Sequence, residues 1–347
     1  MTTIFRLSQL GWKPFFQQQL SLEELSGYLP ARVAAQHRTQ FELYSEQGRQ
    51  TLHISPNLPS LAVGDWVLLD SHGVFYRALE RLSCFSRKAA GSRVSEQLMA
   101  ANVDTVFVTC SLNQNFSLSR IERYLALTRE AKAEAFVVLT KADLFDDPDS
   151  LVNQVQALDR RLLVEAVNAL DRQSTAVLQP WCRAGSTVAV LGSSGVGKST
   201  LINSLMGRPV QQAKAARDDD DRGRHTTTAR SLHLIPDGGV LLDTPGMREL
   251  QLSGCEAGID ETFADISALA SQCRFTDCQH QDEPGCAVQA ALQASLIDQR
   301  RLTNYLKLMR EQARNSQTLA ESRAKDRSLS RYYRKVLHES VKLKKGD

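Results

Sequence analysis

The chain has 347 residues, 42% of them hydrophobic and 23% charged. That balance belongs to a soluble globular protein and not to a disordered or membrane-embedded one, and the length leaves room for two or three domains. Lys and Arg number 42 against 39 Asp and Glu, a net charge of +3 that by itself points to no partner.

Residues 1–30 read as a short helical N-terminal extension. Residues 31–97 read as a small all-β barrel and its linker. Five β-like runs (Ala31–His37, Phe41–Ser45, Thr51–Ser55, Val63–Asp70, Val74–Arg81) are separated by turn formers such as Glu46-Gln47-Gly48 and Pro56-Asn57. So many short strands in so few residues predict an OB-fold. Phe41, Tyr44, Trp66, Phe75 and Tyr76 lie among Arg32, Arg38, Arg49, Arg77 and Arg81. Such mixing suits base stacking with phosphate contact, and it suits an ordinary aromatic core equally well. Arg87, Lys88 and Arg93 mark a basic linker.

Residues 98–255 carry an α/β pattern. Ser119 and Glu122 predict a capped helix with Ile121, Tyr124 and Leu125 on one face. Ala135–Leu139 predicts a buried strand closing on Thr140-Lys141-Ala142-Asp143. Asp143 can accept from guanine N1–H and the exocyclic amine together, a donor pair adenine lacks. A site built on that pair rejects adenine, because its own polar groups would go unpaired. Asn168-Ala169 follows the apolar run Leu162–Val167, where a Ser-Ala pair usually backs the base.

Ser186–Leu191 predicts a further buried strand. It feeds Gly192-Ser193-Ser194-Gly195-Val196-Gly197-Lys198-Ser199, then Thr200 and a helix through Met206 with Leu201 and Leu205 on one face. This is the G-x-x-x-x-G-K-[ST] phosphate loop in its proper strand-to-helix setting. Its glycines let backbone N–H groups converge on phosphates, Lys198 is expected on the β- and γ-phosphates, and Ser199 on Mg²⁺. Asp218–Asp221 read as solvated switch territory rather than a metal site.

Gly223–Thr228 is the expected first switch. His225 is the candidate water-positioning group, against a merely solvated loop His. Spacing does not choose among Thr226, Thr227 and Thr228 for the metal; Thr227 is taken as the candidate. Gly239–Leu242 predicts a strand ending on Asp243, which opens Asp243-Thr244-Pro245-Gly246. Asp243 is expected in the Mg²⁺ shell and the Gly246 amide at the γ-phosphate. Met247 stands where a water-orienting Gln is common, so hydrolysis needs His225 or a partner.

Residues 256–313 read as a mostly helical metal domain. Cys273, Cys278, His280 and Cys286 lie within fourteen positions. Three thiolates and one imidazole suit one closed, structural Zn²⁺. The absence of a secretory signal or membrane run predicts the cytosol, where disulfides are rare. Cys84, Cys110, Cys182 and Cys255 sit among apolar or small neighbours and read as fillers. Leu302, Tyr305, Leu306 and Met309 fall at helical spacing and predict packing on the metal module. From Arg301 onward thirteen Lys/Arg stand against five Asp/Glu, so the 314–347 tail is basic. It suits polyanion binding, or equally a solvated helical face.

The guanine reader here precedes the phosphate loop, and the Asp243 motif follows both. Most GTPases run phosphate loop first and guanine reader last, so the core is circularly permuted. With Ala101-Asn102-Val103-Asp104, TKAD, GSSGVGKST, GRHTTT, DTPGMRE and CRFTDCQHQDEPGC in that order, the chain resembles the ribosome small-subunit-dependent GTPases of the RsgA/YjeQ family across about residues 31–313. The resemblance implies an N-terminal OB barrel, a permuted P-loop GTPase and a C-terminal zinc domain. It also implies late maturation of the small (30S) ribosomal subunit through its 16S rRNA, with hydrolysis of GTP stimulated by that subunit. A cytoplasmic monomer with no membrane partner is expected. Asn168-Ala169, the acidic run and the N-terminal LGWKPFF depart from the family pattern and leave room for a divergent paralogue. A regulatory GTPase acting on a protein or another RNA is the alternative. A scaffold with vestigial hydrolysis is disfavoured by intact Lys198, Ser199 and Asp243.

Overall fold

The computed structural model describes residues 5–88, 96–211, 230–236, 238–243, 252 and 254–316. Arg93, Asp218–Asp221, His225, Thr226, Thr227, Thr228, Thr244, Pro245, Gly246, Met247 and the tail from 317 lie outside the described residues.

The N-terminal part holds helices α1 (Pro14–Gln17) and α2 (Leu22–Gly27) and strands β1 (Leu29–Gln36), β2 (Gln40–Ser45), β3 (Gly48–His53), β4 (Trp66–Leu69) and β5 (Phe75–Ala78). Ser21 and Glu24 start α2 with reciprocal bonds: the Ser21 hydroxyl accepts from the Glu24 N–H, and the Glu24 carboxylate accepts from the Ser21 N–H. The strands pair antiparallel in the order β3-β2-β1-β4-β5. Val33, Phe41, Leu43, Leu52, Val67 and Leu69 fill one face. Trp66 and Leu68, at alternate positions of β4, point the other way, and Leu10 and Phe16 cover them. The N-terminal extension is therefore one layer of this domain. β6 (Cys84–Lys88) and β7 (Glu96–Ala101) form a separate antiparallel pair, so Arg87 and Lys88 stand in a strand and not in the expected linker.

The α/β core comprises β8 (Thr105–Ser111), α3 (Leu118–Glu130), β9 (Glu134–Thr140), α4 (Pro148–Gln156), β10 (Leu163–Val167), α5 (Arg172–Thr175), β11 (Thr187–Gly192), α6 (Lys198–Met206), β12 (Arg230–Leu234) and β13 (Val240–Asp243). Its spatial order is β10-β9-β8-β11-β13-β12, parallel except at β12. Earlier strands lie on one side of β11 and later ones on the other. That makes β11 a switch point, where open α/β sheets bind ligands beyond the strands' C-terminal ends. Phe107 and Val188 enter one core while Val106, Val108 and Ala189 enter the other, so the sheet is buried on both faces.

Helix α3 begins at Ser117, not Ser119: the Ser117 hydroxyl accepts from the Arg120 N–H at 3.3 Å. Glu122 faces inward because a cluster of cations awaits it from the C-terminal region. The sheet also runs on past the α/β core. β12 pairs antiparallel with β1 (Ala35 opposite Ser231, Gln36 opposite Arg230), joining both parts in one sheet of eleven strands.

The C-terminal part consists of α7 (Glu256–Thr262), α8 (Ala264–Ala270), α9 (Ala287–Gln293) and α10 (Gln299–Ser316). A Cβ on Gly258 would press on the Ala126 carbonyl oxygen, and its absence lets α7 lie close against α3. α10 packs chiefly against α7 and α3, with Tyr305 and Phe263 ring centroids 5.5 Å apart, and Leu302, Tyr305, Leu306 and Met309 share one core with Cys273, Cys278 and Cys286.

Candidate nucleotide site and metal cluster

Register brings three distant segments to one sheet edge. Thr140 lies opposite Ser111 and Val167, and Gly192 opposite Thr109. The chain thus leaves β9 at Lys141-Ala142-Asp143, β10 at Asn168-Ala169 and β11 at the Gly192–Ser199 segment side by side. Lys141 takes a left-handed conformation (φ 62°), after which Ala142–Leu144 form a single 3-10 turn that leaves Asp143 exposed. The Asn168 side chain accepts from the Leu170 N–H at 3.0 Å, a local turn of the kind a Ser hydroxyl also makes. Among the described residues no acceptor meets the Ala169 N–H.

The guanine reader and the phosphate loop are braced together. The Thr140 hydroxyl donates to the Val196 carbonyl at 2.5 Å and to that of Cys110 at 3.4 Å. Gly197, at φ 93°, caps α6 beside Thr140. Ser194 and Gly195 stay open to solvent, while Gly192 and Val196 are buried. Ser199 and Thr200 stand in the first turn of α6, where backbone N–H groups and the helix dipole favour an anion. Lys198 donates from Nζ to the Gly192 carbonyl at 2.8 Å and to that of Ser193. These are acceptors a phosphate can replace. Ser193 in turn shares a hydrogen bond with the Tyr124 hydroxyl at 3.2 Å.

Asp243 ends β13, next to β11 in the sheet, with Leu242 opposite Ala189. Burial pushes its carboxyl up from the usual aspartate range, while a bond from the Gln211 amide works the other way. An acceptor-rich, hard-oxygen set of Ser199 and Asp243 is the chemistry a nucleotide-bound Mg²⁺ takes. His225, Thr227 and Gly246, the other residues expected here, lie outside the described residues.

Cys273, Cys278, His280 and Cys286 bring their ligand atoms within 4.8 Å of one another. The Cys273 and Cys286 sulfurs are 3.8 Å apart, and each lies 3.6 Å from His280 Nδ1. A tetrahedron of thiolates bound at about 2.3 Å has edges of about 3.8 Å. The cluster therefore fits a tetrahedral ion, and its sulfurs stand well beyond disulfide distance. Glu283 accepts from the Gln279 and Gln281 N–H groups at 2.8 Å each, and the Gln289 amide donates to the His280 carbonyl at 2.6 Å. Both fix the loop that carries the ligands.

Sequence reasoning missed the side chains that join the parts. Glu122, fully buried, accepts from Arg300, Arg301 and Asn304. Arg32, also fully buried, donates to the carbonyls of Leu10, Gly64 and Asn102 and to the Thr187 hydroxyl. A signal for Glu122 existed: Ile121 and Leu125 place it next to a core-facing stripe, which is unusual for a solvated cap.

The family model described as RsgA GTPase matches residues 78–253. An ABC transporter model matches residues 178–331, less than half the chain, and takes in the phosphate-loop motif near its start; no described helix is long and apolar enough to cross a membrane. The small ribosomal subunit biogenesis GTPase RsgA 2 of Vibrio parahaemolyticus is 58% identical, over 97% of this chain and 94% of its own. RsgA of Mesorhizobium japonicum is 46% identical, over 89% and 91%. The crystal structure of YjeQ from Thermotoga maritima superposes with a TM-score of 0.60 at 25% identity, covering 82% of this chain and 98% of that one. YloQ, a circularly permuted GTPase, shares the fold at a TM-score of 0.58 and 22% identity, over 84% and 97%. With its guanine reader, phosphate loop and Asp243 brought to one sheet edge in permuted chain order, this protein belongs to the RsgA/YjeQ family of circularly permuted GTPases.

Proposed function

We propose that the protein assists late maturation of the small ribosomal subunit and hydrolyses GTP when bound to it, then leaves. The observation that carries this reading is the near full-length similarity to relatives named for small-subunit biogenesis. In this reading β1–β5 are an OB barrel that touches 16S rRNA, and Cys273, Cys278, His280 and Cys286 hold one structural Zn²⁺. The protein works in the cytoplasm as a monomer. Two Vibrio relatives carry the number 2 in their names, which favours a second family copy with its own trigger as the variant reading.

Asp143 selects guanine, with the Ala169 N–H as a second contact to the base. Gly192–Gly197 wrap the phosphates and Lys198 exchanges its two carbonyl acceptors for phosphate oxygens. Ser199, Thr227 and Asp243 hold Mg²⁺, which when bound spreads the charge that builds on the phosphate oxygens. The Gly246 amide senses the γ-phosphate. Met247 offers an attacking water only a weakly accepting thioether, so His225 orients it when the protein is on the subunit.

The pairing of β12 with β1 supports a link between nucleotide and barrel. β12 follows the first switch directly and also pairs with β13, with Ser231 opposite Asp243. A change at either switch therefore pulls on a strand hydrogen-bonded to the RNA-binding domain. The test is the GTP hydrolysis rate alone, with small subunits, with large subunits and with free RNA. A rise confined to small subunits is expected, from a basal rate on the order of 10⁻⁴ to 10⁻² s⁻¹. His225→Ala should abolish that rise and spare GTP binding. Equal rates in all four conditions would refute the assembly role.

A further inference from the structure

We propose that Gln211 is a positioning residue for Asp243, holding one carboxylate oxygen so that the other is presented to the magnesium shell. This rests on the assignment of Asp243 to that shell. The Gln211 amide nitrogen donates to Asp243 Oδ2 at 2.5 Å, and among the described residues no donor meets Oδ1. Gln211 is itself held from α6. The Asn203 carbonyl oxygen Oδ1 accepts from the Val210 and Gln211 N–H groups at 2.8 and 2.9 Å, and Asn203 Nδ2 donates back to the Gln211 carbonyl at 2.8 Å. With its own N–H and carbonyl both bonded to Asn203 and the preceding Val210 N–H held as well, the side chain reaches Asp243 with little left to order.

The arrangement suits a partner behind a metal-binding carboxylate. An amide donor is neutral, so it orients the anion without competing for its charge as Lys or Arg would. Asn203 lies five residues past Lys198 on the helix that opens at the phosphates, so Gln211 links the phosphate-binding helix to the strand that carries Asp243. Partners of this kind are worth roughly 10- to 100-fold in metal affinity.

The test is retention of fluorescent GDP by the full chain, titrated with Mg²⁺, for the wild type, Gln211→Ala and Gln211→Leu. Leu keeps the bulk without the donor. Both variants should move the Mg²⁺ midpoint upward by roughly 10-fold, with GDP affinity in chelator and the melting temperature unchanged. A midpoint that stays in place with a Mg²⁺-dependent wild type overturns the role of Gln211. So does a midpoint that falls, since Gln211 would then be competing with the metal. A wild type indifferent to Mg²⁺ overturns the Asp243 assignment and this proposal with it.

Discussion

The α/β core is joined to its two neighbours by different physical means. Toward the N-terminus the joint is backbone: β12 pairs with β1, and Arg32 and Arg230 add bonds mostly to carbonyls. Arg230 donates to the Leu98 carbonyl at 2.8 Å and lies against Gln36 and Met99. Burial lowers Arg32 to about 10, since no carboxylate touches its guanidinium. Toward the C-terminus the joint is side chains: Glu122 with Arg300 and Arg301, and Arg123 with Glu311 at 2.5 Å, above a shared apolar core. A backbone ladder shifts register or stays intact, and it transmits a strand's displacement. A charge cluster on α3 holds a helix in one orientation, and α3 reaches the phosphate loop through Tyr124. The first joint can pass on a strand's displacement, and the second fixes an orientation.

The largest effect should come from the cluster of Cys273, Cys278, His280 and Cys286. Chelation or Cys286→Ser should unfold the segment between α8 and α9, since structural Zn²⁺ supplies about 10–16 kcal/mol to such folds. Nucleotide binding should persist, as measured by GDP fluorescence beside far-UV dichroism. Loss of both together would mean that the second joint supports the core itself. Next is Glu122→Ala. It leaves Arg301 with Asp265 as its one carboxylate and strips the buried partner from Arg300 and Asn304, and should lower stability by about 3 kcal/mol in denaturant unfolding. A change below about 1 kcal/mol would demote the cluster to an exposed-type ion pair.

Arg230→Ala removes side-chain bonds but leaves the β1–β12 ladder, and should lower stability by only about 1–2 kcal/mol. Its larger consequence should be functional. The ratio of small-subunit affinities in the GTP and GDP states should collapse toward one while basal hydrolysis stays within about 2-fold. An unchanged ratio would place the coupling elsewhere than in this joint.

These joints explain how much the sequence disclosed. The phosphate loop, the guanine reader and the metal cluster each lie within a short stretch, and local chemistry fixes their spacing. Strands β8, β9, β11 and β13 were legible because burial on both faces demands continuous apolar runs. The β1–β12 pair was not, since it joins residues almost two hundred positions apart and neither strand's pattern names its partner. Glu122 was misread as a cap because Ser119 precedes it by three, a spacing that Ser117 and Arg120 in fact use. Arg32 was grouped with the other barrel arginines, since nothing local shows that four acceptors from four segments converge on it. Gln211 sits in a polar stretch where composition distinguishes no single residue.

The smallest effect expected lies in the N-terminal layer, away from β12, and it separates stability from coupling. Arg77 donates to Glu24 at 2.6 and 3.0 Å, and the Ser21 N–H adds a third bond. The Arg77 bonds first, and then the Ser21 amide, hold the Glu24 carboxyl at about 2 instead of 4.5. A carboxylate depressed on folding stabilises the native state above its unfolded value and loses that contribution as pH falls. Wild type and Glu24→Gln should therefore differ most in melting temperature above pH 4.5 and converge as pH falls toward about 2. The variant's GTP-to-GDP affinity ratio for small subunits should match the wild type, because α2 and β5 make no ladder with β12. If Glu24→Gln erased that ratio as Arg230→Ala is expected to, the whole N-terminal domain, and not the β12 joint, would set the response to nucleotide.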